Sequence, residues 1–459
     1  MNDSILIIVD HKHRDMPGLS LIGYYLEKKY KYQIFYSATS MEDQLIEEKD
    51  PKYIIIPKLT YGIYSQLKWK LEGRKIIIVE TEGNPQNDDQ LYNITIYPDL
   101  YIFWNDHIKN QYYKKLLKSG TQMAVEGYYR SDFFCEPLKN IYNKEKIKLE
   151  LGIKGNPQII TFATSTHDAH LSKKREIRNR KKTNRAYKKV PDYDMTIRSL
   201  KMQKKITEQF LFEIQKEFDD NTVFVIKPHP NESIIYWHNL IKENKFDNCY
   251  LMLGKNINEL LTISDFHISH GVCSTTAEAM LYGLNTLELV TNLSDKIYTK
   301  NHLDLPDYRC YSASEMISVL KKVLFENKKT SQKNIFKKYA KKYYKKVDGK
   351  VCYRYAKKIN EFVINSNDST NVKLSHLIKY FALFHAMKLR NIIFFNRTNK
   401  ENQFVKEVYN LDEKKSNNTN HLIINGKSVH KDFGVYDNKI KPDDYKFWYK
   451  KFYKIGILL

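Results

Sequence analysis

The sequence lacks the features of a membrane-spanning or secreted protein. No run approaches the roughly 18 to 20 uninterrupted apolar residues that cross a bilayer, although 42% of the 459 residues are hydrophobic. The N-terminus carries acidic residues and leads directly into an apolar run, without the basic region and cleavage site of a signal peptide. We therefore expect a cytoplasmic protein, either free or peripheral on the inner face of the plasma membrane.

Cysteine is scarce, and several well-known catalytic motifs are missing. The five cysteines are scattered and form no C-x-x-C pair, which argues against a zinc site or a disulfide framework, and we predict no metal. The chain has no G-x-x-x-x-G-K-[ST], no G-x-G-x-x-G and no G-x-S-x-G at a fitting position. These absences disfavour an NTPase, a dehydrogenase and a serine hydrolase.

Acidic residues are too few to balance the basic ones. With 76 Lys and Arg against 53 Asp and Glu, the formal charge is +23, which favours an anionic partner such as a phosphorylated substrate, a membrane or a nucleic acid. The excess of Lys, Tyr, Asn and Ile is explained equally well by an AT-rich genome. No RNA-recognition signature occurs, so we predict no nucleic-acid partner.

Short β-branched runs alternate with helical patterns along most of the chain. In the first half we predict strands at residues 5–10, 33–37, 53–57, 75–80 and 100–104, and helices at 19–30 and 107–119. In the second half we predict strands at residues 222–226, 266–269 and 286–290, and helices at 257–263 and 275–282. This alternation is typical of an α/β, doubly wound parallel sheet, and it occurs twice.

The sequence thus predicts two Rossmann-like lobes facing each other across a cleft. We place the first at residues 1–150, the second at 151–365 and an accessory, partly helical basic tail at 366–459. Residues 171–190 hold ten Lys or Arg against one Glu and are expected to form an exposed loop, either solvated or clamping an anion. The tail contains an amphipathic segment at 374–395, which suits an anionic membrane surface or packing against the lobes.

The most informative motif is the run VFVIKPHPNE at residues 223–232. A buried strand ends in a turn in which Pro228 and Pro230 fix the backbone, so Lys227 and His229 lie at the carboxyl end of a strand, where α/β sheets bind ligands. Both side chains suit neutralisation of a leaving phosphate.

A second motif, SDFHISHGVCSTTAEAM at residues 264–280, combines a strand, a turn and the start of a helix. Backbone N–H groups at a helix N-terminus attract anions, and we expect Ser274, Thr275 and Thr276 to cap the helix and to contact phosphate. Glu278, one turn further, suits a ribose diol. His270 is either a donor contact or a core histidine. We expect Asp10, His11 and Arg14 in a loop before the first helix, on the acceptor side.

These motifs resemble a family of bacterial surface-carbohydrate and capsule glycosyltransferases of the GT-B type, related to retaining β-Kdo transferases. The resemblance covers residues 4–300 and includes residues 7–19 (IIVDHKHRDMPGL), 79–83 (VETEG), 103–104 (FW) and 126–132 (EGYYRSD). The chain departs from the family pattern at Thr81, at Asn105 and at the pair Tyr128 and Tyr129, where Asn-Pro is common.

The resemblance implies transfer of a sugar, with Kdo from CMP-Kdo as the preferred donor, without a metal or other cofactor. It implies Glu82 as general acid/base, with Glu80 as second choice, and Asp132 or Asp168 as nucleophile. The acceptor would be a glycolipid or an oligosaccharide. Two alternatives stay open: a polyol-phosphate transferase using CDP-glycerol or CDP-ribitol, and a non-enzymatic basic RNA- or membrane-binding protein.

Overall fold

A computed structural model of the full chain shows how these patterns fold. It describes residues 3–39, 41–81, 94, 96–166, 169, 176–177, 192–219, 221–229, 232–271, 273–297, 303–326, 333–366, 374–393, 421–424, 427–430, 440 and 442–457. Most of the predicted basic loop, together with Glu82 and Asp168, lies outside these residues. No helix within them has both the length and the apolar composition needed to cross a bilayer.

The first lobe is built on a parallel sheet of six strands in the order β2-β1-β3-β4-β5-β6. The strands carry β-branched and aromatic side chains that are buried on both faces, as expected of a sheet covered by helices. The elements are β1 (Ser4–Val9), α1 (Lys12–Lys28), β2 (Gln33–Ala38), α2 (Glu42–Lys49), β3 (Tyr53–Ile56), α3 (Ile63–Leu71), β4 (Lys75–Val79), β5 (Leu100–Phe103), α4 (Asp106–Ser119) and β6 (Gln122–Val125).

The second lobe repeats this plan with the strand order β12-β11-β10-β7-β8-β9. Two 3-10 turns, Tyr129–Phe134 and Leu138–Asn140, precede it. Its elements are α5 (Lys144–Leu151), β7 (Gln158–Ala163), α6 (Tyr193–Glu217), β8 (Thr222–Lys227), α7 (Ile234–Glu243), β9 (Cys249–Leu251), α8 (Ile257–Ile263), β10 (Phe266–His270), α9 (Ser274–Tyr282), β11 (Asn285–Leu289), α10 (Ser294–Ile297), β12 (Tyr308–Cys310) and α11 (Ala313–Glu326).

The strand pairing within both sheets confirms the predicted pair of Rossmann-like lobes. Every described pair in the two sheets is parallel. The chain reverses its direction of growth between β1 and β3 in the first sheet and between β7 and β10 in the second. Such reversal points open a crevice beyond the carboxyl ends of the strands, where ligands bind in this architecture.

The C-terminal helices return to the first lobe. The remaining elements are α12 (Lys333–Tyr343), α13 (Val351–Ser366), α14 (Leu374–Ile393), the hairpin β13 (His421–Ile424) and β14 (Lys427–His430), and α15 (Pro442–Lys454). Helix α13 buries its apolar face in the same core cluster as α1, and α15 joins that cluster through Trp448, Tyr449 and Phe452. The tail therefore packs against the lobes, one of the two possibilities left open by its sequence.

In helix α14, the apolar residues of the predicted amphipathic segment lie on two different sides of the helix. Leu383 and Phe384 pack with Leu67 of α3 in one buried cluster. Ile378 and Phe381, on the other side, are exposed. The expected single apolar surface is thus partly used for packing within the chain.

Candidate functional site

The residues expected on the acceptor side form a network at the carboxyl end of β1. Helix α1 begins at Lys12, seven residues before the predicted helix, so the expected loop around residues 12–15 is corrected to a helical turn. His11 makes this possible because its Nδ1 accepts a hydrogen bond of 3.3 Å from the backbone N–H of Arg14 and caps the helix. Asp10 accepts hydrogen bonds of 3.2 Å from both Arg14 and Lys58.

A buried carboxylate holds this network in place. Asp15 is fully buried, and Arg14 donates to its two oxygens at 2.8 and 2.9 Å. Its Oδ2 also accepts from the backbone N–H of His11 at 3.1 Å. A two-pronged guanidinium-carboxylate pair fixes orientation as well as charge, so Arg14 is committed to Asp15 and Asp10.

The charge around His11 comes from both lobes. Burial lowers the pKa of His11 to about 3, and the positive charges of Arg14, Lys227 and Arg130 act in the same direction while Asp10 opposes them. The imidazole is therefore neutral near pH 7. Since Nδ1 accepts a hydrogen bond, Nε2 carries the proton and is a donor.

The turn after β8 is organised by Glu232, a residue to which sequence reasoning gave no role. Glu232 is fully buried, and its oxygens accept hydrogen bonds from the hydroxyls of Thr164 and Thr166, the second at 2.8 Å. They also accept from the backbone N–H of His229 and from the indole of Trp237, each at 3.1 Å. One carboxylate thus ties the loop after β7 to the turn that carries Lys227 and His229.

The structure corrects the expected capping of α9. The residue before the helix is Cys273, and no side chain caps the N-terminus. Ser274 is exposed at the first helical position. Thr275 instead lies 3.2 Å from Nε2 of His267, and the buried Thr276 donates to Glu288 at 2.5 Å. The first turn is thus left without a side-chain cap, which suits an anion.

His270 is a core histidine in this structure. It is fully buried, its Nδ1 accepts a hydrogen bond of 2.7 Å from the N–H of Ser165, and its Nε2 lies 2.8 Å from the hydroxyl of Thr207. Both ring nitrogens are satisfied within the lobe. Of the two interpretations offered by the sequence, the geometry favours the structural one.

Glu278 connects the two lobes. Its carboxylate accepts a hydrogen bond from the hydroxyl of Tyr128 and lies 3.8 Å from the guanidinium of Arg130. Arg130 also reaches Asp15 at 3.4 Å, so one buried cation stands between a carboxylate of each lobe. A ribose diol at Glu278 would therefore have to share or replace the Tyr128 contact.

A second connection lies nearby. The side-chain amide of Asn256, at the start of α8, donates a hydrogen bond of 2.8 Å to the carbonyl of His13 in the first lobe. Together with the contacts of Glu278, it brings the carboxyl edges of both sheets to one cleft. Asp10, His11 and Arg14 follow β1, Lys227 and His229 lie at the end of β8, and α9 starts after β10, so all of them lie at these carboxyl edges.

The described catalytic candidates are engaged in internal hydrogen bonds. Glu80 is buried after β4 and accepts a hydrogen bond from the hydroxyl of Tyr101. Asp132 is fully buried, and its two oxygens accept from the N–H groups of Val351 and Cys352 at 2.9 and 2.7 Å. Asp132 is thereby an anchor for the N-terminus of α13, and these bonds account for its burial without a catalytic role.

Among the residues that the structure describes, no three or more His, Cys, Asp or Glu side chains gather in a way that could hold a metal ion.

Comparison with known proteins bears on the fold. No model of a known protein family and no curated protein matches the sequence. Among solved structures, a variant of the wall teichoic acid polymerase TagF aligns over 80% of this chain and 90% of its own, with a TM-score of 0.53 and 14% identity. The UDP-GlcNAc 2-epimerase from Neisseria meningitidis, bound to UDP-GlcNAc, aligns over 79% of this chain and 100% of its own, with a TM-score of 0.50 and 10% identity.

At this level of identity the likeness shows the fold. The chain has the two-lobed GT-B fold, in agreement with the architecture predicted from its sequence.

Proposed function

We propose that the chain is an enzyme that transfers a group from a nucleotide-activated donor to the acceptor of a surface polysaccharide. The observation that carries this proposal is the contact between the two lobes at the carboxyl ends of their strands. There the side-chain amide of Asn256 donates to the carbonyl of His13 at 2.8 Å, and Arg130 lies between Asp15 and Glu278. A transferase with this fold needs its donor and acceptor edges opposed across one cleft.

The donor phosphates would bind between the turn after β8 and the N-terminus of α9. Lys227 and His229 supply charge and hydrogen-bond donors, and the helix start supplies backbone N–H groups. These groups stabilise the negative charge that develops on a leaving nucleotide. Glu278 would take the ribose, exchanging its Tyr128 contact for the diol.

For the transferred group, we retain Kdo from CMP-Kdo with retention of configuration, on the resemblance of the sequence motifs. A retaining transfer by double displacement uses one carboxylate as acid/base and another as nucleophile. Since Glu80 and Asp132 are hydrogen-bonded within the protein, these roles would fall to Glu82 and Asp168. The acceptor is proposed to be a glycolipid or an oligosaccharide at the cytoplasmic face of the membrane.

A second candidate is transfer of a polyol phosphate from CDP-glycerol or CDP-ribitol. The observation that favours it is the chemistry of the described cleft, which offers hydrogen-bond donors and cations. The neutral His11 supplies its Nε2–H, and Lys227 supplies a positive charge at the end of β8. Such groups suit the equatorial oxygens of a transferring phosphoryl group. Asp10, partly exposed at the same edge, is placed to accept the proton of an attacking hydroxyl.

Calorimetric titration with CMP, CDP, UDP and GDP tests the donor site. We expect one nucleotide to bind, and its affinity to fall at least about tenfold in the double variant Lys227→Ala, His229→Ala. The control is His238→Ala with Lys242→Ala, which removes the same residue types from α7, beyond the turn. Equal loss in both variants, or no nucleotide binding by the wild type, contradicts the proposal.

Donor turnover then separates the two candidates. The protein is incubated in turn with CMP-Kdo, CDP-glycerol and CDP-ribitol, and released CMP is measured. Consumption of CMP-Kdo alone supports sugar transfer, and consumption of a CDP-polyol alone supports polyol-phosphate transfer. Preference for UDP or GDP in the titration would reject the Kdo donor.

A further inference from the structure

A second concave surface lies outside the cleft described above. It is a groove of about 440 Å³ between α12 with its following turn and the first turn of α4. Its lining consists of Lys338, Lys341, Lys342 and Lys345 on one side and Asn105, Asp106 and His107 on the other. We call it the lysine groove. Its volume is in the range of ligand-binding sites.

The groove belongs to the same sheet edge as the acceptor side of the cleft. Helix α4 starts directly after β5, and β5 is three strands from β1 in the first sheet. Since neighbouring strands lie about 4.8 Å apart, the end of β5 is roughly 14 Å from the end of β1, where His11 stands. A ligand that spans this distance must be a chain of several units.

Helix α12 is oriented by its aromatic face. Tyr339 and Tyr343 are buried in a cluster with Trp104 and Tyr128, beside the interlobe contacts. Lys338, Lys341 and Lys342 are exposed and repeat at spacings of three and four residues, so they form one charged face of the helix. Lys345, in the turn that follows, donates a hydrogen bond to the carbonyl of Val125. Burial of the tyrosines therefore holds the lysines towards α4.

The positive charge of the groove is poorly compensated within the chain. Among described residues, Lys338, Lys341 and Lys342 make no ion pair with a carboxylate, whereas Lys346 of the same segment lies 3.3 Å from Asp348. Asp106 is engaged with Lys109 at 3.9 Å. Like charges three and four residues apart destabilise a helix, and the N-terminus of α4 adds positive potential. A bound polyanion would relieve this repulsion.

We infer that the lysine groove binds an anionic polysaccharide, namely the growing acceptor chain with carboxylate or phosphate groups along its length. The inference rests on the proposed transfer to a polymer acceptor. A bilayer fits less well because the surface is concave and its lining carries no apolar side chain. Single-stranded RNA sites add exposed aromatic rings for stacking, whereas Tyr339 and Tyr343 are buried.

The test compares two triple variants of the full chain with equal charge. The groove variant carries Lys338→Gln, Lys341→Gln and Lys342→Gln and so loses three of the four lysine charges of the groove. The control variant carries Lys154→Gln, Lys205→Gln and Lys216→Gln and loses three exposed lysines elsewhere. Affinity for polygalacturonate, with neutral dextran as reference, is measured at several salt concentrations. We expect the groove variant to bind about tenfold more weakly, with a shallower salt dependence, and the control to bind like the wild type.

Further measurements separate this inference from the proposed function. Nucleotide affinity, measured by the same titration as before, is expected to be unchanged in the groove variant. If the polymer binds through the groove lysines but no nucleotide binds, the proposed donor site is refuted and the inference about the groove still holds. Equal polymer affinity of the two triple variants would refute the inference that the groove binds the polymer. The inference would also be refuted if the groove lysines were needed for tighter binding of anionic phospholipid vesicles or of RNA than of the polysaccharide.

Discussion

At the scale of single residues, His11 is a titratable group at the carboxyl end of β1 that the folded chain keeps neutral near pH 7. It caps α1, lies between cations of both lobes, and has its pKa lowered to about 3 chiefly by burial. A base whose pKa is lowered by folding reduces the free energy of unfolding in acid, because the unfolded chain binds a proton at a pH where the folded chain does not. The stability attached to His11 is therefore present above about pH 6.5 and is lost as the pH falls towards 3.

The substitution His11→Asn tests this environment. Asparagine keeps a capping acceptor but does not titrate. Between pH 6.5 and 4.5 we expect the free energy of unfolding to fall by about 1–2 kcal/mol more in the wild type than in the variant. Urea unfolding at each pH measures the difference. His267, also shifted to a pKa of about 3 by burial, is present in both proteins and cancels. Parallel pH profiles would show that His11 is solvated.

At this scale the sequence placed Lys227 and His229 at a strand end but did not reveal the residues that hold the surrounding turns. Lys227 and His229 could be found because a β-branched strand followed by Pro228 marks a strand end. Glu232 and Arg130 could not, because their partners lie far along the chain: Thr164 for Glu232, and Asp15 and Glu278 for Arg130. The one available signal was their position, within or beside motifs already singled out.

At the scale of elements, the strands were the most predictable part. Continuous apolar runs such as that of β4 predict a buried parallel strand, and the observed bounds differ from the prediction by about one residue. The start of α1 was missed because a histidine cap is not a common helix signal. The packing of α13 and α15 against α1 could not be predicted. Periodicity identifies the apolar face of a helix but not the element against which that face packs.

Helix α13 provides a prediction about capping. Asp132 accepts two N–H bonds from its first turn, and burial raises the pKa of this carboxyl to about 6 against the opposing effect of those bonds. Asp132→Ala leaves two buried donors without a partner, and we expect a loss of about 3 kcal/mol in the free energy of unfolding. The measurement is urea unfolding monitored by circular dichroism.

A matched control exists on α6. Asp192 also accepts two backbone N–H bonds at a helix start, each of 3.0 Å, but it is exposed. Asp192→Ala should cost about 1 kcal/mol, since water replaces the lost acceptor. Similar costs for the two variants would contradict a burial-dependent anchoring role. A folded Asp132→Asn protein that binds nucleotide but turns over no donor would instead support the nucleophile assigned by resemblance.

At the scale of the whole molecule, buried charge joins the lobes. Arg130 lies between Asp15 and Glu278, and Asn256 bonds to the carbonyl of His13 close by. The two-lobed architecture followed from the repeated strand-helix pattern, whereas these contacts required the three-dimensional arrangement. A nucleotide that engages Glu278 must alter the contacts of Arg130, and through them the turn at Asp15. We therefore expect binding of the proposed donor in the second lobe to be coupled to the start of α1 in the first.

Hydrogen exchange of backbone amides measures this coupling. In the wild type, a saturating nucleotide should slow exchange both at the start of α9 and at residues 11–15. Arg130→Met leaves Asp15 and Glu278 without their shared cation, which should destabilise the protein by about 3 kcal/mol. In this variant the nucleotide should no longer slow exchange at residues 11–15. It should still slow exchange at the start of α9. Arg198→Met, an exposed change on α6, is the control and should preserve both effects. If Arg130→Met also retains protection at residues 11–15, the lobes communicate by another route, of which the Asn256 bond is the next to remove.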